Sequence, residues 1–291
     1  MRTRINPGIV YGIAAYASWG VLPAFLRLLR PMPGADILAH RILWSLVLLV
    51  VLAAMLRHGA ALASIVRRPR ILAALGGSAT LIALNWLFYI TAVNGGHVAD
   101  ASLGYFINPL VNVVLGVAVL RERLGRTELV AVLIAAAGVV WLTIAGGRVP
   151  IVPLILAGSF GLYGLVRKLT PVDAVDGLLI ETALLSPFAL GWLLLAGSPH
   201  TAASPAWPLI VASGVVTALP LLLFAAAAKR VRYADLGLLQ YLAPSLQLAL
   251  AVFAYGEPLP PERLAGFAAI WLALAVYATG AVRRARASAA G

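Results

Sequence analysis

Two small sets of amide and phenol side chains are arranged around prolines inside apolar segments. Tyr105, Asn108 and Asn112 stand at i, i+3 and i+7 around Pro109, so on a helix they share one face. Gln240 and Gln247 stand seven residues apart around Pro244. Each proline ring lacks an amide donor and pushes away the carbonyl four residues earlier, Tyr105 in one segment and Gln240 in the other. Amides, phenols and freed carbonyls recognise a solute through hydrogen bonds. Tyr16 and Trp19, Asn85 and Trp86 with Tyr89, and Tyr241 are further candidates to wall the same cavity, with core packing the alternative for each.

Three ionisable positions lie within or near apolar runs. Glu181 sits a turn or so inside one, where it is either a coupling residue or an interfacial carboxylate near Arg167 and Lys168. His40 shares a face with Asp36 at i, i+4. Arg41, close to the end of its run, is expected to snorkel to the outer surface, with coupling or gating as the other reading for it and His40. No catalytic set accompanies them. Of His40, His58, His97 and His200, only His40 lies in an apolar run, and no His-x-x-His, Gly-x-Ser-x-Gly or phosphate-cradling Gly-Lys pattern occurs. Neither a catalytic residue nor a metal site nor a cofactor is expected. Cysteine is absent, which excludes disulfides and thiolate sites.

The elements that must position these residues follow from composition. Of 291 residues, 62% are hydrophobic and 11% charged; soluble domains carry about 25% charged residues. A spanning helix needs roughly 20 apolar residues. Apolar runs fall near 8–29, 36–56, 71–93, 98–120, 127–145, 150–166, 177–197, 207–228, 234–256 and 264–282. The expected fold is an all-α membrane protein with ten transmembrane helices. So many spans leave no room for a soluble catalytic or DNA-binding domain. The run at 8–29 is longer than a signal-peptide core and is read as the first helix.

The formal charge of +12 would point to nucleic acid on a soluble protein. Its placement gives another answer. With the N-terminus inside, 17 of the 22 Lys and Arg fall in inner segments, leaving Arg27, Arg30, Arg41, Arg148 and Arg263 outside. Cytoplasmic loops are enriched in basic residues, so both termini are expected in the cytoplasm and the protein in the cell membrane. The expected partners are the lipid bilayer and a small-molecule substrate, with no nucleic acid; oligomeric state is unreadable.

A shift of 135 residues lays Ala99–Leu124 over Ala234–Leu259 without a gap. The eight identities include Asp100/Asp235, Pro109/Pro244 and Glu122/Glu257. A weaker match sets Ser18-Trp19-Gly20 over Ser159-Phe160-Gly161. Five helices per copy is an odd number, so the copies must be inverted in the membrane. Loop charges agree: Lys229-Arg230-Val231-Arg232 is basic where Asn94-Gly95-Gly96-His97 is not, and Arg121-Glu122-Arg123 is basic where Gly256-Glu257-Pro258 is not. The halves are 8–145 and 150–282. Gly158, Gly161 and Gly164 recur at helical spacing, as small residues do where membrane helices approach closely.

The segment Ala101–Asn112, reading ASLGYFINPLVN, resembles the signature of the RarD proteins, permeases in the EamA branch of the drug/metabolite transporter superfamily. Asp36–Arg41 with Trp44-Ser45, Tyr163–Lys168, Ile180–Thr182, and Gly237–Tyr241 with Pro244 are similar too. The likeness runs from about Gly8 to Val282. It implies two inverted five-helix EamA repeats around a central cavity, with the fifth and tenth helices peripheral. The family's name is linked to chloramphenicol sensitivity. The small multidrug exporters of the superfamily carry an essential glutamate in their first helix; here that helix offers Tyr11, Tyr16, Ser18 and Trp19 instead. The expected function is an alternating-access carrier, a permease or exporter of small organic solutes or drugs. The alternatives are a channel or non-transporting scaffold and, further behind, an intramembrane enzyme.

Overall fold

The computed structural model describes residues 6–29, 32–94, 98–145, 151–195, 206–256 and 261–290, and among these every regular element is helical. In chain order they are α1 (Pro7–Leu28), α2 (Gly34–Met55), α3 (Gly59–Val66), α4 (Pro69–Asn94), α5 (Val98–Ala118) and α6 (Arg126–Ala145). Then follow α7 (Ile151–Leu169), α8 (Ala174–Leu195), α9 (Trp207–Ala228), α10 (Tyr233–Gln240) and α11 (Leu242–Ala249). A π-helical turn over Leu250–Ala254 extends α11, and α12 (Pro261–Ala290) ends the described chain.

Among the described residues, eight helical stretches are long and apolar enough to cross a membrane, while Leu103–Ala118 and Leu264–Gly280 are apolar but shorter. The exterior is apolar as well as the core, and a set of polar side chains is buried between the helices. Phe188, Leu195 and Phe253 are exposed, whereas Asn85, Asn108, Asn112, Gln240, Glu181 and Arg167 are buried. Exposed apolar surface on this scale needs a covering, and lipid provides it.

Local chemistry sets the helix ends. Asn6 accepts the Gly8 amide at 2.8 Å and Pro7 opens α1, a favoured pairing of cap and first-turn residue. Arg57 adopts φ +59° after α2, the left-handed residue that ends many helices. Next comes α3, a helix that the sequence reading leaves inside a basic connection. Its leading residue His58 holds Asp176 of α8 at 2.6 Å.

Packing alternates between the two halves of the chain. α1 lies against α9, α10 and α11, and α7 lies against α4 and α5. α2 sits between α8 and α9, while α12 packs on α6. α5 crosses α10 closely: a Cβ on Gly237 would come within 2.7 Å of the Pro109 carbonyl oxygen. Glycine is required there because backbone meets backbone. Two of the three spaced glycines on α7 play the expected part. A Cβ on Gly161 would meet Val111 at 2.7 Å and one on Gly164 the Tyr233 hydroxyl at 2.2 Å, but Gly158 faces open space.

The two prolines act differently. α5 continues through Pro109. The other segment breaks at Tyr241, whose amide reaches back only three residues to Leu238 at 3.4 Å. Pro244 has no amide to offer Gln240, so the interruption falls where the missing bond would have been.

Candidate functional site

A cavity lies among α1, α2, α4, α5, α7, α9, α10 and α11. Tyr16, Trp19, Asn85, Trp86, Tyr89, Tyr105, Asn108, Gln240, Pro244 and Gln247 all line it. The amides are held by backbone carbonyls. Asn85 Nδ2 donates to Leu156 at 2.8 Å, Asn108 Nδ2 to Ala157 at 2.7 Å, and Gln247 Nε2 to Trp19 at 3.1 Å. Each carbonyl belongs to another helix, so the same side chains that face the cavity also tie its walls together. Aromatic rings form the apolar part: Tyr89 and Tyr105 meet edge to face at 5.8 Å, and Trp19 meets Phe160 at 5.6 Å. Trp19 and Phe160 are counterparts in the weak internal match.

Several expected wall residues stand elsewhere. Asn112 is behind the wall, donating to Asn108 Oδ1 at 3.2 Å and to Gln240 Oε1 at 2.9 Å. It clamps α5 to α10 at their crossing. Tyr241 is buried in a separate apolar cluster with Phe106 and Phe267, because the turn at the helix break points it away. Pro109 is buried outside the cavity lining, whereas Pro244 is part of it. His40 is buried with its ring edge-on to Trp207 at 6.2 Å.

Arg41 corrects the sequence reading. It does not snorkel outward. Its Nε donates to Thr217 Oγ1 at 2.7 Å, its guanidinium lies 5.6 Å from the Trp86 ring centre, and it lines the cavity. The α2 face that carries it packs on α9, where Thr217 offers a partner. Thr217 and Phe160 are wall residues that motif reasoning overlooked; Phe160 could have been found as the counterpart of Trp19.

Glu181 is buried inside the protein beside Arg167, the neighbour the sequence reading named. Ser78 donates its hydroxyl to Oε1, and Arg167 Nη1 lies 3.5 Å from the same oxygen. Arg167 is fully buried and also donates to the Ala174 carbonyl at 3.1 Å. It fits because residue 177 is glycine: a Cβ there would come within 1.8 Å of its Nη1. Glu181 and Tyr163 line a second, small chamber, separated from the main cavity by Trp86, Thr217 and Leu221, which line both.

The start of α10 is anchored at its charged end. Glu122 accepts the amides of Tyr233 at 2.6 Å and Ala234 at 2.9 Å. A carboxylate so placed satisfies two orphan donors and complements the helix dipole. Arg232 pairs with Glu128 and, at 2.7 Å, with Asp235. Bonds to Asp235, and then to Glu128, push the guanidinium above its ordinary range. The Glu122/Glu257 identity marked the first of these residues without showing its role as a cap; Glu257 lies outside the described residues.

An apolar helical bundle around a polar-lined cavity defines an integral membrane transporter class, and comparison with known proteins agrees. Residues 6–144 match the EamA-like transporter family. An uncharacterized transporter of Pseudomonas aeruginosa is 44% identical over 97% of this chain and 96% of its own. Protein RarD of Escherichia coli is 43% identical over 94% and 95%. The chloramphenicol-sensitive protein RarD of Pseudomonas aeruginosa is 32% identical over 92% of both. A crystal structure of a protein 23% identical in sequence superposes with a TM-score of 0.71 over 92% of this chain and 96% of that one. The chain belongs to the EamA-like transporter family, as a RarD-type permease.

Proposed function

We propose that the protein exports small organic solutes by alternating access, binding them in the cavity between α5 and α10–α11. The observation that carries this is the cavity itself: polar groups from both halves of the chain converge on one space beside a broken helix. Discontinuous helices are a recurring feature of transporter sites, and here the Pro244 segment supplies one. Two inverted five-helix repeats, 8–145 and 150–282, are supported by the reciprocal packing of α1 on α9–α11 and of α7 on α4–α5. The basic inner segments support a cell-membrane protein with both termini in the cytoplasm.

Thermal stabilisation of the purified protein across amino acids, nucleosides, amphenicols and cations identifies a ligand, since a ligand stabilises only the state that binds it. Amphenicols are included because of one relative's name. Counterflow of that ligand in vesicles then tests the carrier. Saturable counterflow is expected; flux that rises without saturation assigns a channel. For orientation, cysteines introduced at Arg68 and Arg230 are expected to be protected from an impermeant thiol reagent in intact cells, and one at Gly96 to react. Labelling at position 230 with protection at 96 contradicts both orientation and inversion.

Glu181 is our candidate for coupling, because it borders a chamber that shares a wall with the cavity. Glu181→Gln is expected to abolish flux driven by a pH gradient while ligand binding persists. Unaltered proton-driven flux in that variant removes it from the mechanism.

A further inference from the structure

Among the described residues, the buried and half-buried cations Arg167, Lys168 and Arg232 have carboxylate or carbonyl partners, and half-buried Arg41 differs from them. Arg167 has Glu181 at 3.5 Å, and Lys168 donates to the carbonyls of Ala228 and Val231 at 2.8 and 2.6 Å. Half-exposed Arg232 has two carboxylates. Arg41 has only the Thr217 hydroxyl, bonded through Nε, and the face of Trp86. Among the described residues, no ion pair includes Arg41 and no Asp or Glu lines its cavity. Arg41 thus lines the cavity with no ion-pair partner among the described residues, and its two Nη groups, the forked end of the guanidinium, are not used by Thr217.

A lone cation held inside a membrane protein is costly, and such residues mark ligand or ion pathways. A guanidinium fork matches the two oxygens of a carboxylate, and its attraction is stronger where water is scarce. One fixed positive charge balances one negative charge, so a monoanion fits better than a phosphate dianion. The rest of the wall defines the body of the ligand. Trp19, Trp86, Tyr89, Tyr105 and Phe160 offer ring faces and edges, which suit a small aromatic or aliphatic skeleton.

We propose that the cavity takes monoanionic organic acids, with Arg41 gripping the carboxylate while the aromatic wall holds the apolar body. The inference rests on the reading of this cavity as the solute site, and deepens it by naming a substrate class. Thr217 acts as a positioning residue: by accepting from Nε it holds the guanidinium and leaves the Nη fork to the carboxylate.

The test compares three molecules of one shape on the purified full-length protein: phenylacetate, phenylacetamide and phenethylamine. Binding is read by thermal shift and by calorimetry. Phenylacetate is expected to bind at least tenfold tighter than the amide, and the amine not at all. In Arg41→Gln the preference for the anion over the amide is expected to vanish, and Arg41→Lys to keep part of it, having charge without the fork. Equal binding of phenylacetate and phenylacetamide by the unaltered protein overturns the proposal, and so does binding of none of the three. That comparison holds even if Arg41→Gln fails to fold. Gln247→Leu separates the two levels of the argument. Phenylacetate binding lost in Gln247→Leu but unchanged in Arg41→Gln removes the role of Arg41 and keeps the cavity as the site. Binding unchanged in both variants removes both.

Discussion

The segments around Pro109 and Pro244 carry one motif and fold differently. α5 runs through its proline, whereas α10 stops at Gln240 and the chain resumes as α11 before loosening into a π-helical turn. Their surroundings differ accordingly. The turn before Pro109 is tied to α7 by Asn108, which donates to the Ala157 carbonyl. The start of α10 is fixed by the Glu122 carboxylate, so relaxation around Pro244 falls further along, at Tyr241. Two copies of a motif thus hold two conformations in one molecule. The proposed alternating access between inverted repeats would use this difference, since exchanging the two conformations between copies would exchange which side is open.

The comparison breaks most readily at the prolines. Proline inside a helix costs roughly 3 kcal/mol, so Pro244→Ala is expected to let α10 and α11 join and to slow counterflow about tenfold or more by this magnitude. Pro109→Ala, in a helix already continuous, is expected to slow it only about two- to threefold on the same argument. Equal effects would mean that the break does not matter to the cycle. Next in size is the anchor of α10. Glu122→Ala removes two charge-assisted bonds and is expected to destabilise the protein by about 2–3 kcal/mol in thermal denaturation. Asn112→Leu, which cuts the clamp between α5 and α10, is expected to cost about 1–2 kcal/mol and to leave solute affinity nearly intact, because Asn112 stands behind the wall. A large loss of affinity would return it to the binding surface. The smallest effect belongs to Gly158→Ala, expected within about 0.5 kcal/mol, since a methyl there meets nothing within 4 Å. Gly161→Ala should be clearly worse, because its methyl meets Val111 of α5.

Much of this architecture was legible before any coordinates. Each apolar run has a helix along it, because in lipid a long apolar segment has no other way to satisfy its backbone. Most of the cavity wall was legible too: polar residues within apolar runs are costly enough that Asn85, Asn108, Gln240 and Gln247 had to have a purpose. Spacing could not say which way each one points. Asn112 shares a helical face with Asn108, yet the crossing of α10 covers it, and only the three-dimensional path of α10 decides that. Arg41 was misplaced for a related reason. Nearness to a helix end permits snorkelling, but Thr217 lies 176 residues away in sequence. The partner of Glu181 was in view as a neighbour in a loop; that Gly177 makes room to bury Arg167 beside it was not.

The account stands on one solute touching both halves of the chain, and a double-mutant cycle tests this most directly. Tyr105 and Gln247 line the cavity from α5 and α11, and they have separate partners: Tyr105 packs on Tyr89, and Gln247 donates to Trp19. Coupling between them must therefore pass through whatever lies between them. The measurement is the dissociation constant of the best ligand from the stabilisation screen, for Tyr105→Phe, Gln247→Leu and the double variant. The predicted result is a departure from additivity of about 0.5 kcal/mol or more. Losses that add to within about 0.3 kcal/mol, in variants that fold normally, would contradict a single site shared by the two proline segments.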